Sequence, residues 1–250
     1  MQPALEDTPG IGREEMLDRQ ERARAAAEWA GYAALQGVGR SFYDRPGDLA
    51  YLTNHFPPFP STVFSEVNRG MGHAFFLLPV AGTPVLITDP RRHRADLVPV
   101  DDIRAAADLG QAVVDAIREK ELERTTIGLV GIDILPAAFD RFFAQVLPNA
   151  NLVPEERIVA ELRKIKSPAE QALLRRAALC ADAALTAAVV TIKRRGTTER
   201  EVCAEGYAAG LRAGADFVRY IRVHSGLWSA AGSRWPQAMN RTIQRGEVVA

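Results

Sequence analysis

Apolar residues recur at helical intervals in some stretches of the chain and gather into short uninterrupted runs in others, and this change of period predicts its elements. Over 13–35 (REEMLDRQERARAAAEWAGYAAL), Met16, Ala23, Ala27, Ala30 and Ala34 fall among charges at helical spacing, which predicts one long amphipathic helix. Gly37 and Gly39 mark its end, a turn is expected at Pro46-Gly47, and the apolar run 49–52 predicts a strand. Pro57, Pro58 and Pro60 exclude helix and central strand from NHFPPFPST and leave an ordered, aromatic-rich connector.

The runs HAFFLLPV (73–80) and PVLIT (84–88), separated by Ala81-Gly82-Thr83, predict a hairpin covered on at least one face. A helix is expected over 103–121, a strand over 126–130, a helix over 137–146 and a short strand over 151–153. Helices alternating with strands, with one hairpin among them, predict an α/β domain with a mixed sheet over residues 1–155.

A charged helical stretch, PEERIVAELRKIK, then places the joint, and a second domain is expected over 156–250. Ser167-Pro168-Ala169-Glu170 carries a helix start with a capping box, and the helix runs to about Arg195. Its face of Ala177, Cys180, Ala184 and Ala188 is small enough for another element to approach closely. Thr198-Glu199-Arg200-Glu201 repeats the capping pattern and opens a helix toward Leu211. Residues 217–223 predict a strand, Ser225-Gly226 a turn, a loop with Trp228 and Trp235 comes next, and a further strand is expected from Gly246.

Composition narrows the function classes. The 250 residues are 47% hydrophobic and 25% charged, as in ordinary globular chains. Thirty-one basic residues balance 31 acidic ones, so no global field draws the chain to nucleic acid or an anionic membrane. Cys180 and Cys203 form no Cys-x-x-Cys pair and are read as small buried apolar residues. The first residues, MQPALEDTPGIGREEM, lack the basic flank and apolar core of a targeting segment, and no apolar run approaches bilayer length, so a cytoplasmic protein is expected.

Chemistry is sparse. His55, His73, His93 and His224 are scattered, no His-Glu-x-x-His occurs, and no carboxylate pair has metal-ligand spacing. Gly70 and Gly72 lack the strand-then-helix context of a phosphate loop, and the basic cluster Arg91–Arg94 reads as a solvated turn.

The run ELRKIKSPAEQALLRRAALCADAAL, then GTTEREV, then HSG, then RTIQRGEVVA, in that order, resembles the entry to the pita-bread catalytic domain of the creatinase, aminopeptidase P and prolidase family. The preceding domain, with its long helix and the segment Tyr51-Leu52-Thr53-Asn54, is similar to the creatinase-type, ribonuclease H-like N-terminal domain. The resemblance implies an α/β N-terminal domain followed by the first part of an α+β pita-bread domain. It implies a homodimeric hydrolase of peptide or peptide-like C–N bonds acting on a short peptide or small molecule, or, as in creatinase, on a small non-peptide metabolite. A metal-free binding or scaffold protein of the same fold is a further alternative.

The family's cofactor is a dinuclear centre of manganese, zinc or cobalt, held by two aspartates, a histidine and two glutamates; it lowers the pKa of a shared water and polarises a carbonyl. None of those ligands is matched here, so the expectation is a longer parent carrying them after Ala250, and no metal on this chain. Family members place a histidine a few residues after the Ser-Gly turn, whereas this loop reads LWSAAGSRWPQ, with Arg234 at about that place. Arginine is no general base at neutral pH, but its guanidinium fork suits a carboxylate. Arg234, His224, Trp235 and His55 are therefore the expected substrate-binding residues, with Trp228 a second wall for the pocket.

Overall fold

The computed structural model describes residues 10–41, 45–59, 70–90, 94, 96–230 and 235–250. The chain parts into compact units, one spanning Ile11–Lys166 and the other containing Ser167–Ala250.

The first unit is a six-stranded mixed sheet. Its strands are β1 (Ala34–Arg40), β2 (His73–Pro79), β3 (Val85–Thr88), β4 (Asp102–Ala105), β5 (Thr126–Val130) and β6 (Asn151–Pro154), in the order β4-β3-β2-β1-β5-β6. β1, β2 and β3 are antiparallel neighbours; β4, β5 and β6 join parallel to β3, β1 and β5. Side chains alternate across β2. Phe75 and Leu77 enter a core with Val113, Val114, Ile117, Phe139 and Phe143, while Ala74, Phe76 and Leu78 enter a second core with Ala23, Ala27, Leu49, Leu52 and Val159. On the first face lie α3 (Leu109–Glu119) and α4 (Ala137–Val146). On the second lie α1 (Arg13–Trp29), α2 (Gly47–Thr53) and α5 (Arg157–Lys164). Burial on both faces explains why these strands read as continuous apolar runs.

Several sequence expectations change. The first helix ends at Trp29, where Gly31 takes φ +81°, and the next element is the central strand β1 rather than more helix. Its ALQGVGR run carries no alternation because both faces are covered, and at Gly39 a Cβ would sit 2.8 Å from Leu49 Cβ. The expected strand over 49–52 is helix α2, closed by Asn54 in the left-handed region and by the Thr53 hydroxyl donating to the Leu49 carbonyl at 2.7 Å. The expected helix over 103–121 begins at Leu109, capped by Asp108, and Asp102–Ala105 is an edge strand. Helix α5, expected to open the second domain, packs through buried Val159 on the first, so the joint lies after Lys166 rather than at residue 155. Arg91, Arg92 and His93 lie outside the described residues.

In the second unit, α6 (Pro168–Ile192) and α7 (Glu199–Arg212) each start with a complete capping box. Ser167 accepts from Glu170 N–H at 3.1 Å while Glu170 accepts from Ser167 N–H at 2.9 Å. Thr198 and Glu201 repeat the exchange at 3.2 and 2.7 Å. The helices meet through small residues: a Cβ on Gly206 would lie 3.4 Å from the Ala184 carbonyl, and one on Gly210 3.5 Å from Ala184 Cβ. Both cysteines are free and buried, with Cys203 Sγ donating to the Ile221 carbonyl at 3.1 Å. Residues 217–223 form no strand, and Gly246–Ala250 contributes only the bridge between Ser225 and Val249. Among the described residues no helix is long and apolar enough to cross a membrane.

Phe139 sets the stability of the first unit: it meets Phe75 edge-on at 5.0 Å and stacks on Phe143 at 5.8 Å. Phe139→Ala should cost about 3–5 kcal/mol in urea denaturation. Trp29→Ala, at a residue 91% exposed, should change it by less than about 0.5 kcal/mol.

Candidate functional site

Glutamate 199 opens α7 and is fully buried. A buried carboxylate is tolerated only when donors satisfy it. One oxygen accepts from the backbone N–H of Ser225 and from the Ser225 hydroxyl, each at 2.7 Å; the other accepts from the Met239 N–H at 3.1 Å. The guanidinium of Arg241 donates to the Ser225 hydroxyl oxygen and grips Glu247 with both of its terminal nitrogens, one at 2.8 Å. Glu247 also accepts from the Gln244 N–H at 2.9 Å. Glu199, Ser225, Arg241 and Glu247 thus form one continuous polar network beneath the Ser-Gly turn.

That network sets the turn's backbone. Gly226 adopts φ +62°, and a Cβ there would lie 2.7 Å from a Glu247 oxygen and 3.0 Å from Arg241 Nη2, so only glycine fits. On either side the chain pairs tightly: Val223 N–H donates to the Gln237 carbonyl at 2.8 Å, and His224 exchanges backbone bonds with Ala250 at 2.8 and 2.9 Å. The Arg241 guanidinium, followed by the Gln244 N–H, pulls the Glu247 carboxyl down from the usual 4.5 to about 2. Arg241 is raised in turn, chiefly by its bond to Glu247.

The expected substrate-binding residues fall in different parts of the fold. His224 is buried, and its Nε2 has no hydrogen-bond partner among the described residues. Trp235 is 71% exposed, two residues before Gln237, whose carbonyl pairs with Val223 in the same unit as His224. Trp228 is exposed in the short 3-10 turn Gly226–Ala230. Arg234 lies outside the described residues. His55 belongs to the first unit, where its buried ring pairs with the Thr88 hydroxyl at 3.1 Å and anchors the start of the proline-rich loop on β3.

Among the described residues no group of three or more His, Cys, Asp or Glu is placed to hold a metal ion. These residues do not fit a dinuclear centre, and no chemical step is assigned to one through them. The sequence offered little sign of the network, because Glu199 reads as a helix-start carboxylate and its donors come from far along the chain.

The network generates two expectations. Glu199→Leu leaves the Ser225 and Met239 N–H groups orphaned in the interior and should destabilise the second unit by about 1–3 kcal/mol per lost donor pairing, read by chemical denaturation. The Glu247 carboxyl lies below its unfolded value, so its stabilisation is complete above about pH 4.5 and fades as pH falls toward about 2. An acid titration of tryptophan fluorescence should show that loss, and Glu247→Gln should flatten it.

No family model matches the sequence, and no curated protein matches it. Solved structures do match. The dipeptidase PepE from Mycobacterium ulcerans is 22% identical over 96% of this chain and 60% of its own, with a TM-score of 0.70. The Xaa-Pro dipeptidase from Bacillus anthracis is 23% identical over 94% and 59%, also at 0.70. The prolidase from Pyrococcus horikoshii is 17% identical over 93% and 59%, at 0.71. The chain thus spans about 60% of the length of the structures it matches. Over that span it has the fold of the Xaa-Pro dipeptidases and prolidases, an α/β domain followed by part of a pita-bread domain.

Proposed function

We propose that the intact protein is a metal-dependent hydrolase of peptide or peptide-like C–N bonds, with Xaa-Pro peptides as its leading substrates, acting as a homodimer. The observation that carries this reading is that the likeness to peptidases runs through both units rather than through the first alone. The metal dependence in this reading comes from the resemblance of the sequence, since the described residues offer no ligand set.

This chain's own contribution to the site is positional. The Glu199–Ser225–Arg241–Glu247 network fixes the Ser-Gly turn, from which the chain leads into Trp228. In the proposal Arg234 takes a substrate carboxylate, Trp235 covers the adjacent apolar surface, and His224 supplies an imidazole beside the turn. The readings in which the substrate is a non-peptide metabolite, or the fold a scaffold, hang on Arg234 standing for the usual histidine.

The intact protein supplied with manganese should release proline from Ala-Pro, and a chelator should abolish the release. Arg234→Gln should raise KM about tenfold with little change in kcat, the pattern of a group that binds ground and transition states alike. Turnover of small amidino acids but not of Xaa-Pro dipeptides would move the assignment to the non-peptide alternative. An intact protein that binds metal yet hydrolyses neither would overturn it.

A further inference from the structure

The first unit holds a second candidate site, independent of the hydrolase reading. In an open α/β sheet, ligands bind outside the carboxyl ends of the strands where the order of connection reverses. Here that point lies between β1 and β5, which are parallel neighbours. From β1 the chain leads through α2 to β2 on one side, and from β5 through a 3-10 turn (Ile132–Ile134) and α4 to β6 on the other. The two departing connections leave a crevice of about 230 Å³ at this edge, lined by Val38, Arg45, Asp48, Gly131, Asp133 and Arg163, among others.

The crevice is shaped by glycine. Gly131, at φ +85°, closes β5 where a Cβ would lie 2.8 Å from the Val38 carbonyl and 3.1 Å from Val38 Cγ1. Gly47 lies under the Arg163 guanidinium, whose nitrogens would be 3.1 and 3.2 Å from a Cβ there. Charge is arranged around it in two opposed pairs. Arg45, from the loop after β1, meets Asp133, from the turn after β5; Arg163, from α5, meets Asp48, in the first turn of α2. These side chains are 26–57% exposed, and pairs of that kind contribute only about 0–1 kcal/mol, so exchanging them for ligand groups costs little.

We infer that this crevice binds a small zwitterion of amino-acid size, its carboxylate taken by Arg45 or Arg163 and its ammonium by the aspartate thereby released. The size argues for this class, since about 230 Å³ is below the roughly 300–1,000 Å³ of pockets for drug-sized ligands. The charge pattern argues for it too, because an ion of one sign frees a group of the other sign and leaves it without a partner, whereas a zwitterion satisfies both.

The test is to titrate the 15N-labelled chain with glycine and follow the backbone amides of Gly47 and Gly131, with sodium acetate and methylammonium chloride as single-charge probes. Glycine should saturate these shifts with a midpoint at millimolar concentration or below, and acetate and methylammonium should each bind at least about tenfold more weakly. Arg45→Gln and Arg163→Gln should each weaken glycine about tenfold while the amides of β2 and β3 stay in place. Absence of a saturable shift by about 50 mM glycine would overturn the inference. So would acetate binding as well as glycine, or both variants binding glycine as the parent chain does. None of these outcomes bears on the hydrolase reading, which is tested by turnover of the intact protein.

Discussion

Burial removes water from backbone and side-chain polar groups alike, and each group so removed must find a partner inside the protein. In the first unit the constraint acts on backbone. A sheet covered on both faces leaves its N–H and C=O groups nothing but neighbouring strands, so β1, sandwiched between β2 and β5, is held by ladders on both sides. In the second unit it acts on one carboxylate, that of Glu199, whose three donors come from Ser225 and Met239 and thereby decide where the turn and the segment after the tryptophan loop must lie.

The two solutions have different consequences. A ladder is tolerant, because any residue supplies the same backbone groups and the side chains need only fill the two cores. The Glu199 network is specific, since it needs a carboxylate, a hydroxyl, a guanidinium and a second carboxylate, with glycine next to them. Such a network resists rearrangement of the turn it supports.

Legibility in the sequence divides along the same line. Capping boxes at Ser167 and Thr198 were legible because their chemistry is local, within three residues. The β2–β3 hairpin was legible from two apolar runs with a glycine-bearing turn between them. β1 was not, because burial on both faces erases the alternation that marks a strand, and its alanine and leucine continued the helical pattern before it. The short apolar run at 49–52 was equally open to helix or strand, and only tertiary packing of Leu49 and Leu52 decides for helix. Of the site, the Ser-Gly turn and Trp235 were visible as types of residue; Glu199, Arg241 and Glu247 became a site only through folding.

The tie beneath the turn also bears on what kind of work the second unit's described residues can do. Both oxygens of Glu199 accept hydrogen bonds, and Glu247 is held ionised far below neutrality by Arg241. A general base works best with a pKa near the operating pH, and a carboxylate held at about 2 is far too weak for that task. The Arg241–Glu247 pair is therefore committed to holding shape. Among the described residues the buried His224 ring keeps its Nε2 without a hydrogen-bond partner, beside the turn the network fixes. Four residues, Glu199, Ser225, Arg241 and Glu247, are thus committed to the geometry of one turn, and the imidazole of His224 lies next to it in the chain.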